Sequence, residues 1–334
     1  MTRAGSPPPP EDSDSDLPSG SRPELRSLFH TRHAGLRAEL GALQRAVDLP
    51  TTVLIFGESG TGKDRLARAL HDASARAPLS FVRIDAANLS DDLFESELFG
   101  HERGAFTGAV AVKRGLLEVA GEGTAYLDEV SSLSPAAQAK FLRVLQERTF
   151  RRLGGTATHA FRARLIVSSR RDLAELVARG AFRDDFFYRI DVVSVRLPSL
   201  AERSADILPL AREFLRKAAR EHGSPARRFA PEAEETLRRH PWPGNVRELA
   251  NAVERAVIAA RGPVVESADL PAGALGSPES LLRAAAERRW TLRELEDAYI
   301  EETLRRCGGN RTLAAKRLGT SRKMLWQRRK KKPV

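Results

Sequence analysis

Seven residues constrain this chain more than any others: Gly57-Glu58-Ser59-Gly60-Thr61-Gly62-Lys63, preceded by the apolar run Thr52-Val53-Leu54-Ile55-Phe56. The run reads as a buried strand, and a helix is expected from Lys63 to about Ala73. A strand that turns through glycines into a helix is the setting a phosphate-binding loop requires. Backbone N–H groups and the helix N-terminus then converge on one anion, and Lys63 adds a point charge. A chance glycine turn is the plain alternative, and the strand–loop–helix setting argues against it. Gly57, Glu58, Ser59, Gly60, Thr61, Gly62, Lys63 and Asp64 are therefore the candidate ATP-binding residues. Asp64 stands where the general pattern has a Ser or Thr whose hydroxyl reaches Mg²⁺.

Further strands are expected at Phe81 to Ile84, Ala125 to Leu127, Ala163 to Ser168 and near Val192 to Val195, alternating with helical stretches. That alternation gives an α/β fold, a parallel sheet with helices on both faces. Asp128 and Glu129 fall at the C-terminal end of the third strand. Such a carboxylate pair can hold Mg²⁺, here through Asp128, and orient a water for attack on a γ-phosphate, here through Glu129. Acids often follow strands, so the pair gains its meaning from the phosphate loop beside it.

The remaining organisation follows from composition shifts. Residues 1–24 are rich in Pro, Ser and Asp and read as a disordered tail. Residues 25–200 form the α/β domain, with Leu36, Leu40, Leu43 and Val47 marking a helix between Leu28 and Val47. Past Pro198 the strands stop, and residues 201–262 read as a small helical domain. Residues 263–289 carry Gly, Pro and Ser and read as a linker. The 334 residues include one cysteine, Cys307, which excludes a disulfide scaffold within the chain and fits a reducing cytosol. The N-terminus has prolines and acids where a signal peptide would have an apolar core. No apolar run reaches the ~18 residues of a membrane span. A cytoplasmic protein with no membrane partner is expected.

The formal charge of +11 is unevenly spread. Residues 308–334 hold ten Lys/Arg and no acid, whereas residues 1–20 hold four acids and one Arg. A basic end implies a polyanion partner, most simply double-stranded DNA. Within 290–334, Leu292, Leu295, Tyr299, Ile300 and Leu304 mark one helix face, and Gly308-Gly309 ends that helix. A second helix fits Thr312 to Leu318. Gly319 makes a turn, and Ser321 can cap a third helix. This is a helix-turn-helix whose third helix would enter a major groove, with Ser321, Arg322, Lys323, Gln327 and Arg328 as the candidate DNA contacts. A protein-interaction bundle is the alternative; the charge favours DNA.

Between the phosphate loop and the acidic pair lies Gly104-Ala105-Phe106-Thr107-Gly108-Ala109. A Phe and a Thr between glycines suit an exposed, flexible loop tip, since glycine packs nothing and costs backbone entropy. An ATPase that displays an aromatic on such a loop has a means of pushing on another protein.

The stretch from Glu95 to Ala109 resembles the signature of the sigma-54-dependent transcription activators, the bacterial enhancer-binding proteins. Two further segments are similar to that family: Phe182-Arg183-Asp184-Asp185-Phe186-Phe187-Tyr188-Arg189 and Trp242-Pro243-Gly244-Asn245-Val246-Arg247-Glu248-Leu249. The likeness runs from about Val53 to Val257, and Gly308 to Gly319 resembles the Fis-type domain that ends many such proteins. It implies an AAA+ ATPase with a helical lid that self-associates from dimer to ring, usually a hexamer. ATP would lie between subunits. Arg183 and Arg189 would reach a neighbour's γ-phosphate, as arginines supplied in trans do elsewhere, and Arg247 would report nucleotide state from the lid. Singly, each arginine reads as a surface charge. Gly104 to Ala109 would contact sigma-54 in the RNA polymerase holoenzyme, with Phe106 and Thr107 foremost, and the family acid at position 64 is present as Asp64.

Three departures from the family pattern stand out. Ser169-Arg170 replaces Thr-Asn before Arg171-Asp172-Leu173. Asp85 replaces an Asn that couples the catalytic Glu to the loops. The Ile-Gly-x-Ser lead-in is not evident in Leu28-Phe29-His30-Thr31-Arg32-His33. Arg170 would either pair with Asp85 or Glu129 and slow hydrolysis, or point outward; the first is expected, because position 170 falls just past a strand end. The function expected is an activator that binds an upstream DNA site and uses ATP hydrolysis to remodel the holoenzyme. Two rivals are a DNA-binding regulator that binds nucleotide but hydrolyses it weakly, and an AAA+ remodeller of another substrate. The first 24 residues are too short for a receiver domain, so the activating signal and target promoters are not read from this sequence.

Overall fold

The computed structural model describes residues 22–87, 91–270, 290–306 and 311–320. The chain divides into two compact units, one of residues 1–211 and 244–250, the other of residues 212–243 and 251–334.

The first unit is built on a five-stranded parallel sheet. Its spatial order is Phe81–Asp85, Thr124–Asp128, Arg164–Ser169, Val53–Phe56, Val193–Arg196. All five expected strands are present, and the phosphate loop leaves the strand next to the edge. Thr124–Asp128 and Arg164–Ser169 are buried at every position, as strands covered on both faces must be. Alternate side chains serve two cores. Leu54, Leu127 and Val167 pack with Phe141, Leu145 and Phe186. Val53, Ile55, Tyr126 and Ile166 pack with Leu36, Leu40, Leu66 and Leu70. Each such side chain contributes about 1.5–3 kcal/mol on burial.

The helix Lys63–Asp72 starts directly after Gly62, whose φ of 101° only glycine adopts without strain. The helix Pro135–Glu147 is set by Ser134, which caps it by accepting from Ala137 N, and by Pro135 in its first turn. Two short antiparallel ribbons, Gly100–His101 with Lys113–Arg114 and Thr149–Arg151 with Thr158–Ala160, were not expected. Strands of two or three residues are too short to show an alternation.

The helix expected from Leu28 to Val47 is two helices, Leu25–Leu28 and Ala34–Gln44. Between them Thr31 Oγ1 and Arg32 N each donate to the Asp206 carboxylate at 2.5 Å. His33 Nδ1 then accepts from Leu36 N at 3.0 Å and restarts the helix. Leu36, Leu40, Leu43 and Val47 are buried as their spacing requires. This layer is tied to the sheet by Arg164, 1% exposed. Its guanidinium donates to the carbonyls of Val47 and Ala46. Burial pulls its pKa down to about 10, with Arg76 adding to the shift and Asp48 opposing it.

Helices Ile207–Glu221, Pro231–Arg239 and Asn245–Ala259 make up the helical region. Within the second unit Trp242 is buried, donates from Nε1 to Leu237 O at 2.8 Å and lies 4.4 Å from the His240 ring. Val264–Val265 pair in parallel with Arg228–Phe229, so regular structure continues into the segment expected as a linker from 263. Backbone pairing there needs no side-chain pattern, and composition alone could not show it. Helices Leu292–Arg306 and Arg311–Arg317 follow, with Ala314 and Ala315 packed against Ile300 and Leu318. These are the first two helices of the expected helix-turn-helix. Residues 1–21, Cys307, Gly308-Gly309 and the third helix with Ser321, Arg322, Lys323, Gln327 and Arg328 lie outside the described residues. Among the described residues no helix is long and apolar enough to cross a membrane.

Candidate nucleotide site and display loop

The phosphate loop is clamped from two sides. A methyl group at Gly57 would sit 2.5 Å from Leu197 O, and one at Gly60 would sit 2.4 Å from Gly244 O. The close approach at Gly60 lets its carbonyl accept from Val246 N at 2.9 Å and Arg247 N at 3.3 Å. It thereby satisfies first-turn donors of the helix Asn245–Ala259 that have no intrahelical partner. Asn245 is fully buried with φ 53°. Its amide donates to Glu58 Oε2 and Ser59 O, both at 3.0 Å, and its Oδ1 accepts from Leu200 N at 2.7 Å. Arg247 Nη1 reaches Ser59 Oγ at 3.2 Å. Arg203, buried, donates to Thr61 O at 2.5 Å. Lys63 is 5% exposed. Its ammonium donates to the carbonyls of Gly57 at 2.8 Å and Glu58 at 3.2 Å.

Asp128 and Glu129 sit beside this loop and are held differently. Asp128 Oδ1 accepts from Ser168 Oγ at 2.5 Å and Tyr126 OH at 3.0 Å, and Oδ2 pairs with Arg83 Nη2 at 2.5 Å. Burial pushes the Asp128 carboxyl up, but these donors outweigh it and hold it below the usual carboxylate range. The same burial pushes the Tyr126 hydroxyl up, so it stays a donor. Glu129 has a left-handed backbone, φ 58°. Its Oε1 lies 3.5 Å from Lys63 Nζ and its Oε2 lies 3.5 Å from Arg170 Nε. That Oε2 is buried and makes no hydrogen bond. Of the two expected partners of Arg170, Glu129 is the one it meets. Asp85 Oδ1 instead accepts from Ala87 N at 2.9 Å.

Arg83 was not foreseen as a site residue. It also pairs with Asp64, at 3.1 Å, so one guanidinium spans Asp64 and Asp128. The signal in the sequence was a lone charge inside the run Phe81-Val82-Arg83-Ile84. Asn245 and Arg203 were likewise not singled out, because most of their hydrogen bonds go to backbone atoms far away in the chain.

The donor set fits a nucleotide and a hard cation. Gly60 and Gly62 have φ of 78° and 101°, and Gly62 opens the helix, the arrangement that turns amides toward an anion. Two carboxylates within reach of one cationic group, Arg83, offer the oxygen ligands Mg²⁺ prefers. Glu129 Oε2 keeps its hydrogen-bond acceptor capacity unused, 3.5 Å from Arg170 Nε.

Arg183 and Arg189 are not brought to the phosphate loop within one chain. Arg183 pairs with Asp185 at 2.7 Å, and Arg189 Nη2 donates to Leu145 O at 2.8 Å. Arg183 and Asp185 line an open cavity with Phe99, Leu142, Phe150 and Leu153.

The segment 104–109 is a loop closed on itself. Gly104 N donates to Ala109 O at 2.8 Å, and Ala109 N to Phe106 O at 3.0 Å. Phe106 is 45% exposed and leans edge-on against His101, with ring centroids 4.9 Å apart. Val110 and Val112 are exposed beside it. At the foot of the loop Arg152 pairs with Glu102 at 3.0 Å and with Glu118 at 2.8 Å.

Residues 29–196 match the sigma-54 interaction domain, residues 201–286 an AAA+ ATPase lid domain, and residues 291–331 the Fis family of bacterial regulatory proteins. The chain is 44% identical over 290 residues to transcriptional regulatory protein ZraR of Klebsiella oxytoca, covering 87% of this chain and 66% of that one. It is 42% identical over 283 residues to nitrogen fixation protein AnfA of Azotobacter vinelandii, covering 85% and 53%. A crystal structure of NtrX from Brucella abortus in complex with ATP superimposes with a TM-score of 0.67 at 35% identity, covering 90% of this chain and 68% of that one. The chain thus spans about half to two thirds of the length of these relatives.

Proposed function

Because the chain belongs to the family of sigma-54-dependent transcription activators, with its AAA+ domain, lid and Fis-type domain, we propose that it binds ATP with Mg²⁺, assembles into a ring on upstream DNA and remodels RNA polymerase holding sigma-54. A cytoplasmic location accords with that role. The observation that carries the proposal is the meeting, in one site, of the clamped phosphate loop, Asp128, Glu129 and Arg247.

Each residue has a chemical task. The loop amides and Lys63 bind phosphates. Asp128, with Asp64 near it, would hold Mg²⁺, which supplies charge neutralisation to the phosphates. Glu129 orients a water, for which Lys63 must exchange its carboxylate contact for a phosphate oxygen. Arg183 and Arg189 act on a neighbouring subunit's site, in keeping with their partners Asp185 and Leu145, which are not part of their own phosphate loop. Arg247, bonded to Ser59, links the state of that loop to the helix it begins. Phe106 and Thr107 contact sigma-54, and Ser321, Arg322, Lys323, Gln327 and Arg328 contact DNA. ATP-dependent open-complex formation on a sigma-54 promoter tests the whole; no opening with ATP present contradicts it.

The ion pair of Arg170 with Glu129 favours a second reading: a DNA-binding regulator in which hydrolysis is slow. A steady-state ATPase rate separates the two.

A further inference from the structure

Arg83 lies in a sheet strand but does the work of a site residue. Its side chain is about half exposed and is placed so that Nη2 meets Asp128 Oδ2 at 2.5 Å while Nη1 meets Asp64 Oδ2 at 3.1 Å. The pairing with Thr124–Asp128 explains the position. Arg83 is registered with Tyr126, two residues before Asp128, and Asp85 with Asp128 itself. A long side chain at 83 therefore runs along the strand toward the acidic end. Asp128 Oδ1 already accepts from Ser168 and Tyr126, which leaves Oδ2 for a further partner, and Arg83 takes it. The two carboxylates that Arg83 joins are the two suited to a divalent cation in this site.

We propose that Arg83 is a built-in counter-cation: in the nucleotide-free chain it neutralises Asp64 and Asp128, and Mg²⁺ must displace it to gain Asp128. The proposal rests on the Mg²⁺–nucleotide assignment above. It has a two-sided consequence. Without Mg²⁺, the guanidinium spares an incoming triphosphate the repulsion of two bare carboxylates, so metal-free nucleotide binding is supported. With Mg²⁺, the same guanidinium competes for the ligand oxygens, so more metal is needed to reach saturation. Arg83 is a positioning residue in this sense, acting through Asp128 and not on the reacting atoms.

The test is binding of a fluorescent ATP analogue to the full chain, first in EDTA and then across a Mg²⁺ titration, for wild type, Arg83→Gln and Arg83→Lys. Two ion pairs, one half-exposed and one with a buried carboxylate, correspond to a change of roughly fivefold or more. Arg83→Gln is expected to bind the analogue more weakly in EDTA and to reach half-saturation at a lower Mg²⁺ concentration. Arg83→Lys, which keeps the charge but cannot span both carboxylates, is expected to fall between. This crossing of directions distinguishes the role from a loss of structure, which would weaken binding under both conditions. Weaker binding in both, or an unchanged Mg²⁺ midpoint in Arg83→Gln, overturns the proposal. If the wild type binds no nucleotide in either condition, the nucleotide assignment fails and the proposal with it.

Discussion

At Gly60 an added methyl group would meet the Gly244 carbonyl oxygen at 2.4 Å; at Gly104 and Gly108 it would meet nothing within 4 Å. Both loops are punctuated by glycine, and both use positive φ, 78° at Gly60 against 81° and 103° at Gly104 and Gly108. The physical reasons differ. In the phosphate loop, glycine lets backbones touch, and the loop is rigid because its carbonyls and side chains are spoken for by Asn245, Val246, Arg203 and Arg247. In the 104–109 loop, glycine only permits the turn, and Phe106, though it leans on His101, stays 45% exposed. One loop is fixed by its neighbours, which suits the ligand-holding role proposed for it; the other presents its tip, which suits the proposed contact with a partner.

The largest effect is expected where the clamped loop meets its ligand. Lys63→Ala should abolish nucleotide binding in a titration with a fluorescent analogue while DNA binding persists. It removes two hydrogen bonds to loop carbonyls as well, so a stability loss of about 1–3 kcal/mol should accompany it. Wild-type ATP affinity in this variant would show that the loop does not bind through its lysine. Next, Phe106→Ala and Thr107→Ala should each lose transcription activation in vitro while the ATPase rate stays at the wild-type level, because the main-chain bonds that hold the display loop run to its own or adjoining residues and not to the phosphate loop. Activation undiminished in both variants would break the contrast.

The glycines themselves sharpen the comparison. Gly60→Ala should cost about 2–5 kcal/mol in a denaturant melt, from strain at positive φ plus overlap with Gly244. Gly108→Ala should cost about 1–2 kcal/mol at most, from backbone strain alone. Equal losses at the two positions would mean that close approach is not what the phosphate loop uses glycine for. The smallest effect is expected at Arg170. Releasing Glu129 by Arg170→Asn should raise the steady-state ATPase rate several-fold, about 1 kcal/mol in barrier; an equal or lower rate would show that the ion pair does not restrain the acid.

The sheet was legible from its apolar runs because burial on both faces leaves no other composition for such strands. Thr52 to Phe56 and Ala163 to Ser168 could hardly be anything else. The phosphate loop was legible for the same reason that it is clamped: only glycine serves at Gly57 and Gly60. Partners made across the sheet left little trace. Arg83 shows in the sequence only as a charge out of place, and nothing near it points forward to Asp128. Asn245 works by bonding Glu58, Ser59 and Leu200, residues far away in the chain. The short ribbons at 100–114 and 149–160 carry no periodicity at all. Arg170 was legible as an anomaly, and its partner was narrowed to two acids by its place at a strand end.

Arg164 bears on where this AAA+ domain can be cut. The recognisable motifs begin with the strand at Val53, and a minimal domain drawn from them would start there. Yet the guanidinium at the buried start of a central strand takes its partners from Ala46 and Val47, carbonyls more than a hundred residues upstream. A fragment begun at Val53 would keep every recognisable motif and leave the Arg164 guanidinium without its acceptors, a penalty of several kcal/mol where it stays buried. The contact also joins a segment made earlier on the ribosome to one made more than a hundred residues later. That long loop closure is slow to form, so the sheet's interior should be among the last parts of the domain to become sealed against water during folding.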